Sequence, residues 1–183
     1  MLMEESNPVK DALFEYIENY EGILDLIKLK KFDEIIQNIL ENCYDKIITI
    51  TNKEEALATL ATGLLHYLLT NALINSQRKV EFNNVEIDIV IPDIKTLEKD
   101  PKKTLVIGIV NSTDEQTIQK KISDLEKIQT EKDNIWMVLP KEIQIDKKSF
   151  IISKENNSFS KIIFEIAQFT NVGGANKFKI LRI

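Results

Sequence analysis

The apolar residues change their spacing near Arg78, and no other feature divides the chain so sharply. Before it they recur every three to four residues, and after it they alternate. A face repeated at 3.6 belongs to a helix and one repeated at 2 to a strand, so helices precede strands here. Asn7-Pro8 has the form of an N-cap followed by proline at the first helical position. Val9, Leu13, Phe14, Ile17 and Tyr20 follow at helical spacing, and Gly22 marks a break. Phe32 to Tyr44 repeats the pattern. Thr51-Asn52-Lys53-Glu54 has capping-box form, with Thr51 reaching forward and Glu54 reaching back. The helix it opens, through about Ile74, is apolar on most sides, which predicts burial on more than one face.

After Arg78, Val80 and Phe82 lead into Asn83-Asn84, a two-residue hairpin turn, because Asn tolerates positive φ. Val85, Ile87, Ile89 and Ile91 then alternate with Glu86 and Asp88 until Pro92-Asp93 ends the strand. Residues 94–103 read as a charged loop. Leu105 to Val110 is almost continuously apolar, as a central strand covered on both faces would be. Ser112-Thr113-Asp114-Glu115 offers a helix start, and Ile118, Ile122 and Leu125 give that helix a narrow apolar stripe. Ile135 to Leu139 is a strand ended by Pro140, and Phe150 to Ser153 is a shorter one. Ser158 to Thr170 is a final amphipathic helix, stopped by Gly173-Gly174. Strands on both sides of the helix at 113–129 predict a β-α-β crossover, hence at least one parallel pair. The fold class is therefore α/β, a mixed central sheet flanked by helices. Residues 1–50 read as a helical extension packed on a core at 51–171, with a tail at 172–183.

The charge is divided too. Residues 1–75 hold 6 Lys and no Arg against 13 acids, and residues 76–183 hold 18 basic residues against 16 acids, which together give the net −5. An acidic first part argues against nucleic acid wrapping the whole surface. It suits a protein partner or a homodimer formed through the N-terminal helices. Arg78 and Arg182 are the two arginines, so bidentate phosphate contacts are scarce and nucleic-acid binding is expected to be weak. The tail residues Lys177, Lys179 and Arg182 form the better basic patch, since Lys95, Lys99, Lys102 and Lys103 are interleaved with acids. No apolar run approaches the roughly 18 residues of a membrane span. The start, MLMEESNPVK, lacks a signal-peptide core. One cysteine, Cys43, makes no internal disulfide, and no Cys/His cluster suits zinc, so a reducing, cytoplasmic setting is expected. His66 reads as a partly buried histidine in an apolar helix, and Trp136 as a core residue.

Glu86-Ile87-Asp88-Ile89-Val90 on one strand, Leu105-Val106-Ile107-Gly108-Ile109-Val110 on the next, and the order α-β-β-β-α-β resemble the PD-(D/E)xK nuclease superfamily over roughly residues 53 to 140. That superfamily includes the archaeal Holliday-junction resolvases. The resemblance implies a restriction-endonuclease-like core with an added N-terminal helical segment. In the family an Asp and a Glu hold Mg²⁺, and the Lys of Glu-x-Lys positions or activates the attacking water. Asp88 matches the Asp and is the candidate metal ligand. Gly108 stands where the Glu belongs and Val110 where the Lys belongs. Neither supplies an oxygen ligand or a proton acceptor, and Mg²⁺ chemistry needs carboxylates. Glu86, two residues from Asp88, is expected on the same face as a second relic of the site. Lys120, on the following helix, is the candidate for a migrated lysine, against its ordinary reading as a solvated helix lysine.

A non-catalytic nuclease-fold protein is therefore expected, acting as a binding or scaffold subunit in nucleic-acid transactions and needing no cofactor. The alternatives are an active nuclease using Asp88, Lys120 and Mg²⁺, and a plain α/β interaction domain.

Overall fold

A computed structural model describes residues 6–178, with side chains through residue 171. The first half is helical, as the 3.6 spacing requires. Helix α1 spans Pro8–Glu18, α2 Ile23–Lys28, α3 Phe32–Ile47 and α4 Lys53–Asn71. The Asn7 side chain caps α1 by accepting the N–H of Val9 at 3.0 Å and of Lys10 at 3.3 Å. At α4 the cap is Asn52 rather than Thr51. Its side chain accepts from Glu54 at 3.1 Å and Glu55 at 3.2 Å, while Thr51 donates to the Glu55 carboxylate. The N-cap is thus displaced by one residue, because Asn serves as an N-cap at least as well as Thr.

Leu57, Leu60, Leu64, Leu65 and Leu68 around α4 are fully buried. Helix α4 lies against the sheet and is covered on its outer side by α1 and α3. Gly63 permits the closest approach, since a Cβ there would meet the Leu13 side chain at 3.0 Å. One apolar cluster joins α1, α3 and α4 to the last helix, α7 (Ile162–Phe178), and to one face of the sheet.

The sheet has five strands in the order β1 (Gln77–Phe82), β2 (Val85–Ile91), β3 (Leu105–Ile109), β4 (Ile135–Leu139) and β5 (Lys148–Ile151). Strand β2 runs antiparallel to both β1 and β3, and β3, β4 and β5 run parallel to one another. Asn83 and Asn84 make the hairpin turn with φ of 50° and 61°, the pair of positive values that a type I′ turn demands. Every residue of β3 and β4 is buried, so the apolar run at 105–110 is central as its composition requires. Helix α6 (Glu115–Glu126) crosses from β3 to β4 and covers the second face. There Ile118, Ile122 and Leu125 pack with Val90, Val106, Val110 and Met137.

Three local expectations change. Residues 94–103 are not a loop. They form α5 (Ile94–Lys99), capped by the Asp93 carboxylate on the N–H of Thr96 at 2.7 Å, then a 3-10 turn over Pro101–Lys103. Leu97, 1% exposed, anchors the helix with half-buried Ile94 among the surrounding charges. Fully buried Gln129 holds that turn, donating to the carbonyls of Pro101 at 3.0 Å and Thr104 at 2.7 Å. Next, β5 begins two residues before Phe150, at Lys148. Finally, α7 follows a 3-10 turn at Phe159–Lys161 and runs through Gly173-Gly174 without stopping. Glycine costs a helix about 1 kcal/mol relative to alanine, which weakens it without ending it. The tail charges Lys177, Lys179 and Arg182 lie outside the described side chains. Among the described residues, no helix is long and apolar enough to cross a membrane.

Candidate functional site around Asp88

Strand β2 does not alternate cleanly. Val85 and Ile87 pack on the α6 side and Ile89 on the α4 side, so the alternation breaks at Asp88. The β1–β2 ladder pairs Val80 with Ile87 and Arg78 with Ile89, and between them Lys79 takes a φ of 47°. On the other side, β2 and β3 pair at Ile89 and Ile107, and one further step brings Asp88 level with Gly108.

At that step a side chain replaces the backbone ladder. Asp88 Oδ2 accepts the N–H of Ile109 at 2.7 Å and the ammonium of Lys121 at 2.5 Å. The Asp88 side chain is 17% exposed and that of Lys121 27%. Both bonds are charge-assisted, and low exposure shields them from solvent. Lys121 reaches this place because it stands three residues after Ile118 and four before Leu125, on the flank of the stripe that packs α6 on the sheet.

The helix therefore supplies a lysine to Asp88, but it is not the expected one. Lys120 is exposed and points away, since one residue shifts the side chain by about 100° around a helix. Glu86 is also corrected. It is exposed, its neighbours Val85 and Ile87 face α6, and it therefore lies on the opposite side from the Asp88–Lys121 pair. Its cross-strand partner is another acid, Glu81.

Gly108 faces α6, and the space above it is filled. A Cβ there would lie 2.9 Å from Met137 Sδ and 3.0 Å from Leu125 Cδ1, both on fully buried side chains. Val110, in the lysine position of the motif, is buried in the same apolar layer. Among the described residues, no group of three or more His, Cys, Asp or Glu side chains could hold a metal. A lone carboxylate already matched by an ammonium and a backbone N–H does not fit Mg²⁺, which takes oxygen ligands and keeps several waters.

The remaining candidates stand apart from Asp88. Trp136 is 5% exposed, with ring centroids 5.6 Å from Phe150 and 6.2 Å from Phe169. The Lys148 ammonium sits 4.5 Å from the Trp136 ring centroid and also pairs with Glu165. Burial draws the Lys148 pKa down. His66 is half-buried in α4. Lys95, Lys99, Lys102 and Lys103 are exposed, and Lys103 pairs with Asp100 at 3.0 Å. Helix phase, read from Ile118 and Ile122, was the signal for Lys121; the filling by Met137 and Leu125 has no signal in sequence. No protein-family model, curated protein or solved structure matches this chain.

Proposed function

We propose that the chain is a nuclease-fold protein without catalytic activity, acting as a binding or scaffold subunit in nucleic-acid transactions. The element order α4-β1-β2-β3-α6-β4 supports this reading, as does the register that brings Asp88 level with Gly108. The observation that carries it is the Asp88–Lys121 ion pair beside a glycine whose free side is packed by Met137 and Leu125. Phosphodiester cleavage by a metal nuclease needs carboxylates that fix the cation and room for the attacking water. Here the ammonium neutralises the carboxylate and apolar side chains take the room. A reducing, cytoplasmic setting belongs to the proposal, in keeping with the free and buried thiol of Cys43.

One observation favours a second reading. A lysine donated from α6 to Asp88 is also what an active nuclease with a migrated lysine would need, with Lys121 in the role first given to Lys120. Incubation with branched, single-stranded and duplex DNA in Mg²⁺ or Mn²⁺ separates the two. The non-catalytic reading expects intact substrates. Cleavage that disappears in Asp88→Ala would overturn it and install Lys121 as the catalytic lysine.

A further inference from the structure

Two consecutive lysines open β5, and different helices grip them. Neighbouring residues of an extended chain point to opposite sides. Lys147 accordingly turns to α6, where its ammonium lies 2.8 Å from Oε1 of Glu126, and Lys148 turns to α7, where it pairs with the Glu165 carboxylate. The strand they hold is short and lies at one end of the sheet, hydrogen-bonded to β4.

The two grips differ. The Lys147 side chain is 5% exposed and that of Lys148 45%. Lys132 approaches the same Glu126 oxygen at 3.9 Å, while Lys127 on α6 is engaged by Asp124 at 2.6 Å. Acid neutralises a carboxylate and leaves an ammonium charged. Protonation of Glu126 therefore strips the shielded Lys147 ammonium of its counter-charge, with Lys132 as a second cation close by. Losing one partner of a shielded pair is strongly unfavourable. The ammonium regains water when the start of β5 swings outward.

We propose that β5 is an acid-released latch: protonation of Glu126 expels Lys147, and the edge strand leaves β4 while the rest of the sheet stays formed. Lys148 is the next residue, so its hold on Glu165 goes with it. Trp136 stands opposite Lys148 in the β4–β5 ladder, its ring 4.5 Å from that ammonium, and opening uncovers it. The hydrogen bond from Lys147 holds the Glu126 carboxyl below the usual carboxylate range. The latch is therefore shut at neutral pH and opens as pH falls below about 4. The inference goes beyond the reading of the Asp88 site and does not depend on it.

Hydrogen exchange read by mass spectrometry on the full chain tests it, expressed as protection factors so that the intrinsic pH dependence of exchange cancels. Glu126→Gln mimics the protonated carboxyl. It should lower the protection of residues 148–152 roughly tenfold or more at pH 7 and leave that of residues 105–109 unchanged. Lys147→Met removes the ammonium that has to escape, so β5 should stay protected at about pH 3.5, where the parent loses it. Trp136, the one tryptophan of the chain, gives a second reading, since its emission should shift to the red as β5 leaves. Equal protection of residues 148–152 in Glu126→Gln and the parent, an acid loss that takes β3, β4 and β5 together, or an acid loss that persists in Lys147→Met would each overturn the proposal.

Discussion

The ammonium of Lys121 lies 2.5 Å from Oδ2 of Asp88, and the N–H of Ile109 lies 2.7 Å from the same oxygen. One carboxylate thus ties β2, β3 and α6 together. Removing the ammonium leaves a mostly buried carboxylate with one donor. Lys121→Met should cost about 1–3 kcal/mol, read as a lower urea midpoint at unchanged slope. Lys120→Met should stay within about 0.5 kcal/mol. Equal effects of the two changes would contradict the pairing.

Gly108 gives a graded expectation. The atoms nearest an added Cβ are the ends of the Met137 and Leu125 side chains, which can shift. Gly108→Ala should therefore cost about 1 kcal/mol, within the range of modest overpacking. Gly108→Glu pushes a carboxylate into an apolar layer and should cost about 3 kcal/mol or more. Combining it with Val110→Lys, which would complete the Glu-x-Lys pattern, should make the loss larger. A stable double variant that binds Mn²⁺ would instead point to an open, retired site.

The sheet was readable because its signals are local. Leu105 to Val110 has no polar face to expose, and Asn83-Asn84 suits one turn type. Helix α5 is hidden in the sequence because only Ile94 and Leu97 anchor it among charges. Asp88 is legible from the strand motif, but its partner is Lys121 and not Lys120, since a narrow stripe fixes helix phase only when each flank is counted from Ile118. The blocked space at Gly108 was not legible at all. Leu125 and Met137 lie 17 and 29 residues further along the chain and meet there only through packing. Glu86 does not share the face of Asp88 because period-2 alternation breaks at Asp88.

Lys147 sets a pH dependence at the other end of α6. Its side chain is 5% exposed, and its ammonium lies 2.8 Å from Glu126. That hydrogen bond is the main reason the Glu126 carboxyl is held below the usual carboxylate range. A lowered folded-state pKa gives stability that is present above the unfolded value, about 4.3, and lost as pH falls through the folded value. Lys147→Met should thus cost about 1–2 kcal/mol near pH 7, with its gap to the parent shrinking as pH falls below about 4. A gap independent of pH from 7 to 3 would contradict a role for the ion pair.

Cys43 is buried, and burial pushes its thiol up to about 11. At pH 8 about one molecule in a thousand then carries the thiolate, against about a quarter for an ordinary thiol. Labelling by a disulfide reagent should be slow in the folded protein and prompt and stoichiometric in urea. Prompt labelling of the folded chain would contradict the burial.

The central claim is that Lys121, rather than a divalent cation, balances Asp88. Calorimetric titration of Mg²⁺ and Mn²⁺ into the full chain, at cation concentrations up to several millimolar, measures this most directly. No saturable binding is expected, with a thermal midpoint unchanged by Mg²⁺ or by EDTA. Saturable one-site binding that Asp88→Asn abolishes would contradict it.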